Sequence, residues 1–281
     1  MARMPERLGQ LTLLRQVGLG RHCQIWEAVD QSSGRRVAVK AVVPEMARDA
    51  GQRRLLRHEF EVARGLDHPA VVHIDRFSEA GGLPHLVMEL FPHANLKKQL
   101  AAGTEEIAPR LHRLVTQLAW ALDHMHGRGW VHRDVKPENI LASADGDVKL
   151  IDLAIAARRA SPLRRLLGGK SRAQGSPSYI APEQIRGLPV DPGADMYSLG
   201  CVLFELLAGM PPYTASTTEE LLLKHLSATP PSVEVFNRDA TASVSKLIRQ
   251  MLAKKPADRP ESMRALIQQL GAIKFVNRVG G

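Results

Sequence analysis

The chain has 281 residues, 44% of them apolar and 24% charged, which suits one large domain or two lobes sharing a core and excludes wholesale disorder. Lys and Arg outnumber Asp and Glu by 38 to 29, a net charge of +9 that reads first as a solvated basic surface but could attract nucleic acid, anionic lipid or acidic protein, while an aromatic content of 4% disfavours a base-stacking nucleic-acid surface. Cys23 and Cys201 cannot make a disulfide framework, no apolar run is long enough to span a membrane, and the N-terminus lacks a signal peptide's apolar stretch, so a cytoplasmic protein is expected.

Up to about residue 90 the pattern favours strands. Residues 11–17 place Leu11 and Leu13 at alternate positions, and 24–30 and 35–43 are rich in Val, Ile and Ala. Gln31-Ser32-Ser33-Gly34 between the latter two is turn chemistry and predicts a hairpin. Residues 46–66 are charged, with Leu55, Leu56, Phe60, Ala63 and Leu66 spaced as on one face of a helix that His68-Pro69 stops. Two more strands are expected at 71–77 and 85–90, joined at Gly81-Gly82.

Beyond Asn95 the period changes. Ile107, Leu111, Leu114, Leu118, Ala121, Leu122 and Met125 form one apolar face of a long helix closed by Gly127 and Gly129. A short strand at 148–151 follows the Asp145-Gly146-Asp147 turn, and helical patterns fill 194–208, 219–227, 243–253 and 262–270. The shift from strand to helix places a lobe boundary near residue 92.

Several strings carry chemistry. Gly18-Leu19-Gly20, after the first strand, would let backbone N–H groups approach phosphate oxygens; taken alone, such a pair is more often simply a turn. Lys40 ends the apolar run Val37-Ala38-Val39, where an inward ammonium needs an anion, and Glu59 on the following helix could supply it; a surface lysine at a strand edge is the plain alternative. His132-Arg133-Asp134-Val135-Lys136-Pro137-Glu138-Asn139 holds a carboxylate that can accept a hydroxyl proton, a nearby cation and an amide oxygen suited to a divalent metal. Ile151-Asp152-Leu153 adds a second carboxylate at the end of a strand. Taken together, these strings exclude a random polar loop.

In this order and spacing, with Ala181-Pro182-Glu183, Asp195–Gly200 and Pro256-Ala257-Asp258-Arg259-Pro260, the sequence resembles the eukaryotic-type (Hanks-type) Ser/Thr protein kinases, bacterial members in particular. The resemblance implies an α+β, bilobal protein-kinase-like fold: a small antiparallel β lobe with one main helix, and a larger helical lobe. The kinase domain would cover 8–270, with an N-lobe at 8–91, a C-lobe at 92–270 and a tail at 271–281. The implied activity is transfer of the ATP γ-phosphoryl group to Ser or Thr hydroxyls of protein substrates, with autophosphorylation, using ATP and Mg²⁺ or Mn²⁺.

The implied roles fall on matching residues. Lys40, held by Glu59, would bind the α- and β-phosphates; Asp134 would orient the acceptor hydroxyl as catalytic base; Lys136 would steady the γ-phosphate. Asn139 and Asp152 match the metal ligands, and Gly18 and Gly20 the phosphate loop. Ile25, Ala38 and Leu141 match the apolar walls around adenine, Met88 the gatekeeper, and Glu89 and Phe91 the hinge. Glu183 and Arg259 match a structural ion pair, and Asp195 the buried anchor of the catalytic loop. The site would lie between lobes that open to release ADP.

Two positions depart from the family. Cys23 replaces the third glycine of the phosphate loop, and Arg21 and His22 beside it would lower its thiol pKa and make it reactive; a small residue filling the glycine's place is the other reading. Ala154 replaces the glycine after Asp152-Leu153 and should restrict flipping of Asp152. These departures are the argument for a pseudokinase or scaffold; a small-molecule phosphotransferase is opposed by Ala181-Pro182-Glu183 and by the long segment before it, which resembles a protein-substrate platform. That segment carries Arg158, Arg159, Arg164, Arg165, Lys170 and Arg172 and no acidic residue between Asp152 and Glu183. With Arg133 before the catalytic aspartate, it predicts activation by a phosphate on Ser171 or, second, Ser161, whereas Ser176 matches a hydroxyl that contacts the catalytic aspartate and lysine. Docking of acidic substrates without phosphate is the alternative. No membrane anchor is expected after the kinase-like region.

Overall fold

A computed structural model of the chain describes residues 4–20, 22–161, 174–189 and 191–277. Contacts divide it into two compact units, one running to Pro92 and taking in Asp152–Ala154, the other comprising the rest from His93 onward.

The first unit is built on β1 (Arg7–Leu8), β2 (Leu11–Leu19), β3 (Cys23–Asp30), β4 (Arg35–Val42), β5 (Ile74–Ala80) and β6 (Leu83–Glu89). They form one six-stranded sheet in the order β1-β2-β3-β4-β6-β5, with every neighbouring pair antiparallel. Side chains alternate across a sheet, and β4 uses both faces. Val37, Val39 and Ala41 join a cluster with Leu8, Leu11, Leu13, Ala28 and Val87, so Ala38 and Lys40 point to the opposite face. Helix α1 (Ala50–Ala63) packs against β5 and β6 and buries Leu56, Glu59, Val62 and Ala63.

The expected helix start at 46 moves to Ala50. Pro44–Met46 forms a separate 3-10 turn, and the Asp49 carboxylate caps the helix by accepting the Gln52 N–H at 2.9 Å. The strand expected at 71–77 lies at Ile74–Ala80 instead: Val71, buried after His68-Pro69, makes only an isolated bridge, and the continuous ladder starts three residues later. An apolar run alone does not separate those two fates.

The second unit contains α2 (Leu96–Leu100), α3 (Leu111–Gly127), α4 (Pro182–Ile185), α5 (Gly193–Ala208), α6 (Thr218–Ser227), α7 (Ala242–Met251) and α8 (Met263–Gly271). Short strands β7 (Trp130–Val131) and β10 (Ala157–Arg158) pair, as do β8 (Ile140–Ala142) and β9 (Val148–Leu150). Helix α5 is buried from Ala194 to Leu207, the burial expected of a helix at the centre of its unit. It packs on α7, while α3 packs its predicted apolar face on α8 and neighbouring elements. Among the described residues no helix is long and apolar enough to cross a membrane.

One buried histidine makes the second unit acid-sensitive. His225, wholly buried, shares a 2.9 Å hydrogen bond with the Tyr197 hydroxyl and lies edge-on to Tyr213. Burial, with Lys254 nearby, pushes its pKa down from 6.5 to about 4. A depressed folded-state pKa contributes stability that is present above the unfolded value and lost as pH falls through the folded one. The unfolding free energy from urea titrations should therefore fall between pH 6.5 and 4, by an upper limit of about 3 kcal/mol, and His225→Gln should flatten that slope.

Candidate active site

Lys40 is the charged centre of the first unit. Its ammonium donates to Glu59 Oε2 at 2.7 Å and to Asp152 Oδ1 at 2.9 Å. Glu59 also accepts the Leu153 backbone N–H, which ties α1 to the Asp152–Ala154 segment. Burial alone would discharge the lysine, but the charges of Asp152 and Glu59 outweigh it and hold its pKa above the usual lysine value. Asp152 adopts φ 66°, a left-handed conformation that costs a non-glycine residue roughly 1–2 kcal/mol.

In the second unit Asp134 sits in the loop between β7 and β8 and receives donors on both oxygens. Oδ1 accepts the Ser176 N–H at 2.9 Å and its hydroxyl at 2.8 Å; Oδ2 accepts Lys136 Nζ at 2.6 Å and Asn139 Nδ2 at 3.1 Å. Lys136 also donates to Ser176 Oγ at 2.7 Å, and Asn139 Nδ2 to the Asp134 carbonyl at 2.9 Å. Ser176 thus stands where the sequence pattern placed it, between the aspartate and the lysine.

The loop is anchored from α5. Asp195, fully buried, accepts the backbone N–H groups of His132 and Arg133 at 2.9 and 2.8 Å and a 2.8 Å contact from His126 Nε2. Although burial opposes its charge, these donors keep its pKa below the usual carboxylate range. Arg133 is the second non-glycine residue at positive φ among those described, at 72°. Its guanidinium donates to Gln174 Oε1 and the Ile155 carbonyl. The Gln184 amide donates to the Arg133 carbonyl at 3.0 Å and the Gln174 carbonyl at 2.9 Å. Glu183 and Arg259 meet in two parallel hydrogen bonds of 2.6 and 2.9 Å, both buried. His126 and Gln184 belong to none of the recognised strings, and nothing in their spacing marked them.

The remaining candidates fall as follows. Ala38 and Met88 are cross-strand partners and buried; Ile25 opposes Lys40 and is half-buried. Glu89 engages its N–H with the His73 carbonyl and its carboxylate with the His73 N–H, and Phe91 follows half-buried. Leu141 lies on β8 of the other unit. A Cβ at Gly18 would come within 3.1 Å of the Ile25 side chain, and the Gly20 N–H donates to the Cys23 carbonyl at 2.8 Å. Packing against Ile25 therefore already accounts for Gly18, whereas the Gly20 hydrogen bond is one that any residue but proline could make. Ser161 is exposed; Ser171, Arg164, Arg165, Lys170 and Arg172 lie outside the described residues.

Both departures read differently in three dimensions. Cys23 is half-buried, and burial, only partly offset by the Lys40 charge, pushes its thiol up to about 11. Of the two readings of Cys23, this opposes the reactive thiolate and leaves the small residue in the glycine's place: desolvation outweighs local positive charge. Alkylation of native Cys23 at neutral pH should run roughly a hundredfold slower than that of an unfolded-chain thiol, which mass spectrometry of partly modified protein can measure. Ala154 is not among the positive-φ residues; that conformation falls on Asp152 instead, while Leu153 is fully buried. The alanine therefore imposes no left-handed strain.

Comparison with known proteins agrees with this geometry. The protein kinase domain profile matches residues 11–270. The Ser/Thr-protein kinase PrkC of Bacillus subtilis is 34% identical over 254 residues, covering 90% of this chain and 39% of the relative. PknD of Mycobacterium tuberculosis is 34% identical over 255 residues, 90% of this chain and 38% of its own. PknH of Mycobacterium bovis is 33% identical over 258 residues, 92% and 43%. The chain spans about two fifths of the length of these curated relatives. With the profile covering nearly the whole chain, and these bacterial Ser/Thr-protein kinases among its relatives, this chain belongs to the protein kinase family.

Proposed function

We propose that the chain is an active ATP-dependent Ser/Thr protein kinase, with residues 8–270 as its catalytic domain, and that it phosphorylates protein substrates and itself. The observation that carries this reading is the Asp134 carboxylate gathering Lys136, Asn139 and Ser176 within 3.1 Å.

Phosphoryl transfer asks for positioning and charge neutralisation rather than covalent chemistry. Lys40, kept charged by Glu59 and Asp152, binds the α- and β-phosphates. Ile25, Ala38, Met88 and Leu141 supply apolar contacts to adenine, Glu89 and Phe91 offer backbone groups, and Gly18 and Gly20 shape the turn beside the phosphates. Both Asp134 oxygens are engaged, so an acceptor hydroxyl must replace a donor. Lys136 is the group to move: turning its ammonium toward the γ-phosphate releases Oδ2, which then orients the hydroxyl and takes its proton. Ser176 and Asn139 hold the carboxylate in place meanwhile.

The donors present fit a hard divalent cation. Asn139 commits its amide nitrogen to Asp134, which leaves its oxygen as the ligand atom, and Asp152 is a carboxylate with 39% of its side chain exposed. Among the described residues no three His, Cys, Asp or Glu side chains form a self-sufficient metal site, so phosphate oxygens and water would complete the shell. By the family pattern Asn139 and Asp152 would hold Mg²⁺ or Mn²⁺, which would supply charge neutralisation at the phosphates.

Incubation with γ-labelled ATP, with and without Mg²⁺ and a generic acceptor protein, tests the reading. Label is expected on acceptor Ser or Thr and on this chain between residues 153 and 182, and a chelator should abolish both. No label with either Mg²⁺ or Mn²⁺ would remove the assignment of activity.

A further inference from the structure

Arg133 precedes Asp134 and is held in a left-handed conformation, so the peptide between them must be fixed from outside. Its N-terminal side is anchored by the Arg133 N–H on Asp195 Oδ1 at 2.8 Å. The peptide that leads into Asp134 has two polar groups. Its N–H donates to His132 Nδ1 at 3.2 Å, and its carbonyl, that of Arg133, accepts from Gln184 Nε2 at 3.0 Å. Gln184 gives its second amide hydrogen to the Gln174 carbonyl at 2.9 Å, two residues before the Ser176 that clamps Asp134 Oδ1. Gln184 is buried, and its Oε1 accepts the Ala181 N–H at 3.2 Å at the start of α4.

Gly175 is a second, independent sign that this junction is close-fitted. It adopts φ 133°, a region that favours glycine, and a Cβ there would lie 3.0 Å from the Arg133 carbonyl oxygen and 3.4 Å from Gln184 Nε2.

Resting on the reading of Asp134 as proton acceptor, we propose that Gln184 is a positioning residue for phosphoryl transfer: its amide hydrogens join the peptide that orients Asp134 to the segment that delivers Ser176. Only a primary amide of this length meets the requirement, because two carbonyls need two hydrogens from one atom while a third group needs an acceptor. Capping α4, by contrast, uses Oε1 alone.

That difference sets the experiment. Gln184→Glu keeps an acceptor for Ala181 but turns an oxygen toward two carbonyls; Gln184→Met keeps the volume and removes every hydrogen bond. Rates are measured on the whole chain with Mg²⁺, ATP and a generic Ser/Thr acceptor. Positioning predicts that both variants lose roughly tenfold to a hundredfold in kcat, Glu at least as much as Met, with KM for ATP within about twofold of wild type. A Glu variant with wild-type kcat would reduce Gln184 to a cap and overturn the proposal. If the Glu variant fails to fold, the Met variant decides alone: a wild-type kcat overturns the proposal, and a tenfold loss at constant KM for ATP supports it. A wild-type chain that transfers no phosphate would instead overturn the underlying reading of Asp134.

Discussion

Replacing Asp134 with Asn is expected to lower phosphoryl transfer to a protein acceptor by roughly 10²- to 10⁴-fold, the usual worth of a positioned general base. The substitution preserves shape but not chemistry. Oδ1 faces two donors from Ser176 and Oδ2 faces Lys136 and Asn139. Whichever way an Asn amide turns, its nitrogen meets donors, so the clamp loosens as the base is lost. The affinity for ATP should change by less than about threefold, since Lys40 and the Glu59 and Asp152 carboxylates that hold it are untouched. Steady-state rates with titration of a fluorescent ATP analogue separate the two quantities. Wild-type turnover in the Asn variant would remove Asp134 from the mechanism.

Lys40→Met should abolish most transfer as well, and it should also weaken the fold. Lys40 is 13% exposed and Glu59 2%, so the change leaves a buried carboxylate beside Asp152 without its cation. Breaking a buried pair on one side costs about 3–5 kcal/mol, with the exposed Asp152 adding little. The pH dependence has a definite sign. Burial already raises the pKa of Glu59, with Lys40 opposing; without the lysine it rises further. A carboxyl whose folded pKa lies above its unfolded value is best tolerated below that unfolded value, and stability is lost as pH rises through the folded one. The variant's deficit in urea midpoint should therefore be larger at pH 8 than at pH 5. Adding Glu59→Gln should restore part of the stability at pH 8 without restoring activity. A deficit independent of pH, or unaffected by the second substitution, would contradict the buried-pair account.

Much of this was legible in the sequence where long periods or dense motifs spoke. The apolar face of α3, from Leu111 to Met125, is buried as its spacing required. The hairpin of β3 and β4 turns at Gln31–Gly34 as its composition predicted. Motif order placed Asp134, Lys136 and Asn139 in one loop, and the three side chains meet. Short elements were missed: α2 has five residues, α4 four, and β7 and β10 two each, too few to show a period. The sequence alone left a reactive Cys23 open, because Arg21 and His22 are visible as neighbours in the chain, whereas desolvation depends on what packs around the thiol. Gln184 left no trace because its partners are backbone carbonyls, which any sequence supplies.

The central claim is that Asp134, held by Asn139 and Ser176 once Lys136 turns toward the γ-phosphate, receives the proton of a Ser or Thr hydroxyl as that hydroxyl takes the γ-phosphoryl group. Single-turnover transfer from γ-labelled ATP tests it most directly, with Mg²⁺, excess chain, and matched acceptor peptides carrying Ser, Thr or Tyr. Label on the Ser and Thr peptides, with the transfer rate lowered at least about a hundredfold by Asp134→Asn, is the predicted result. Label recovered only as inorganic phosphate, or transferred equally by the Asn variant, would contradict it.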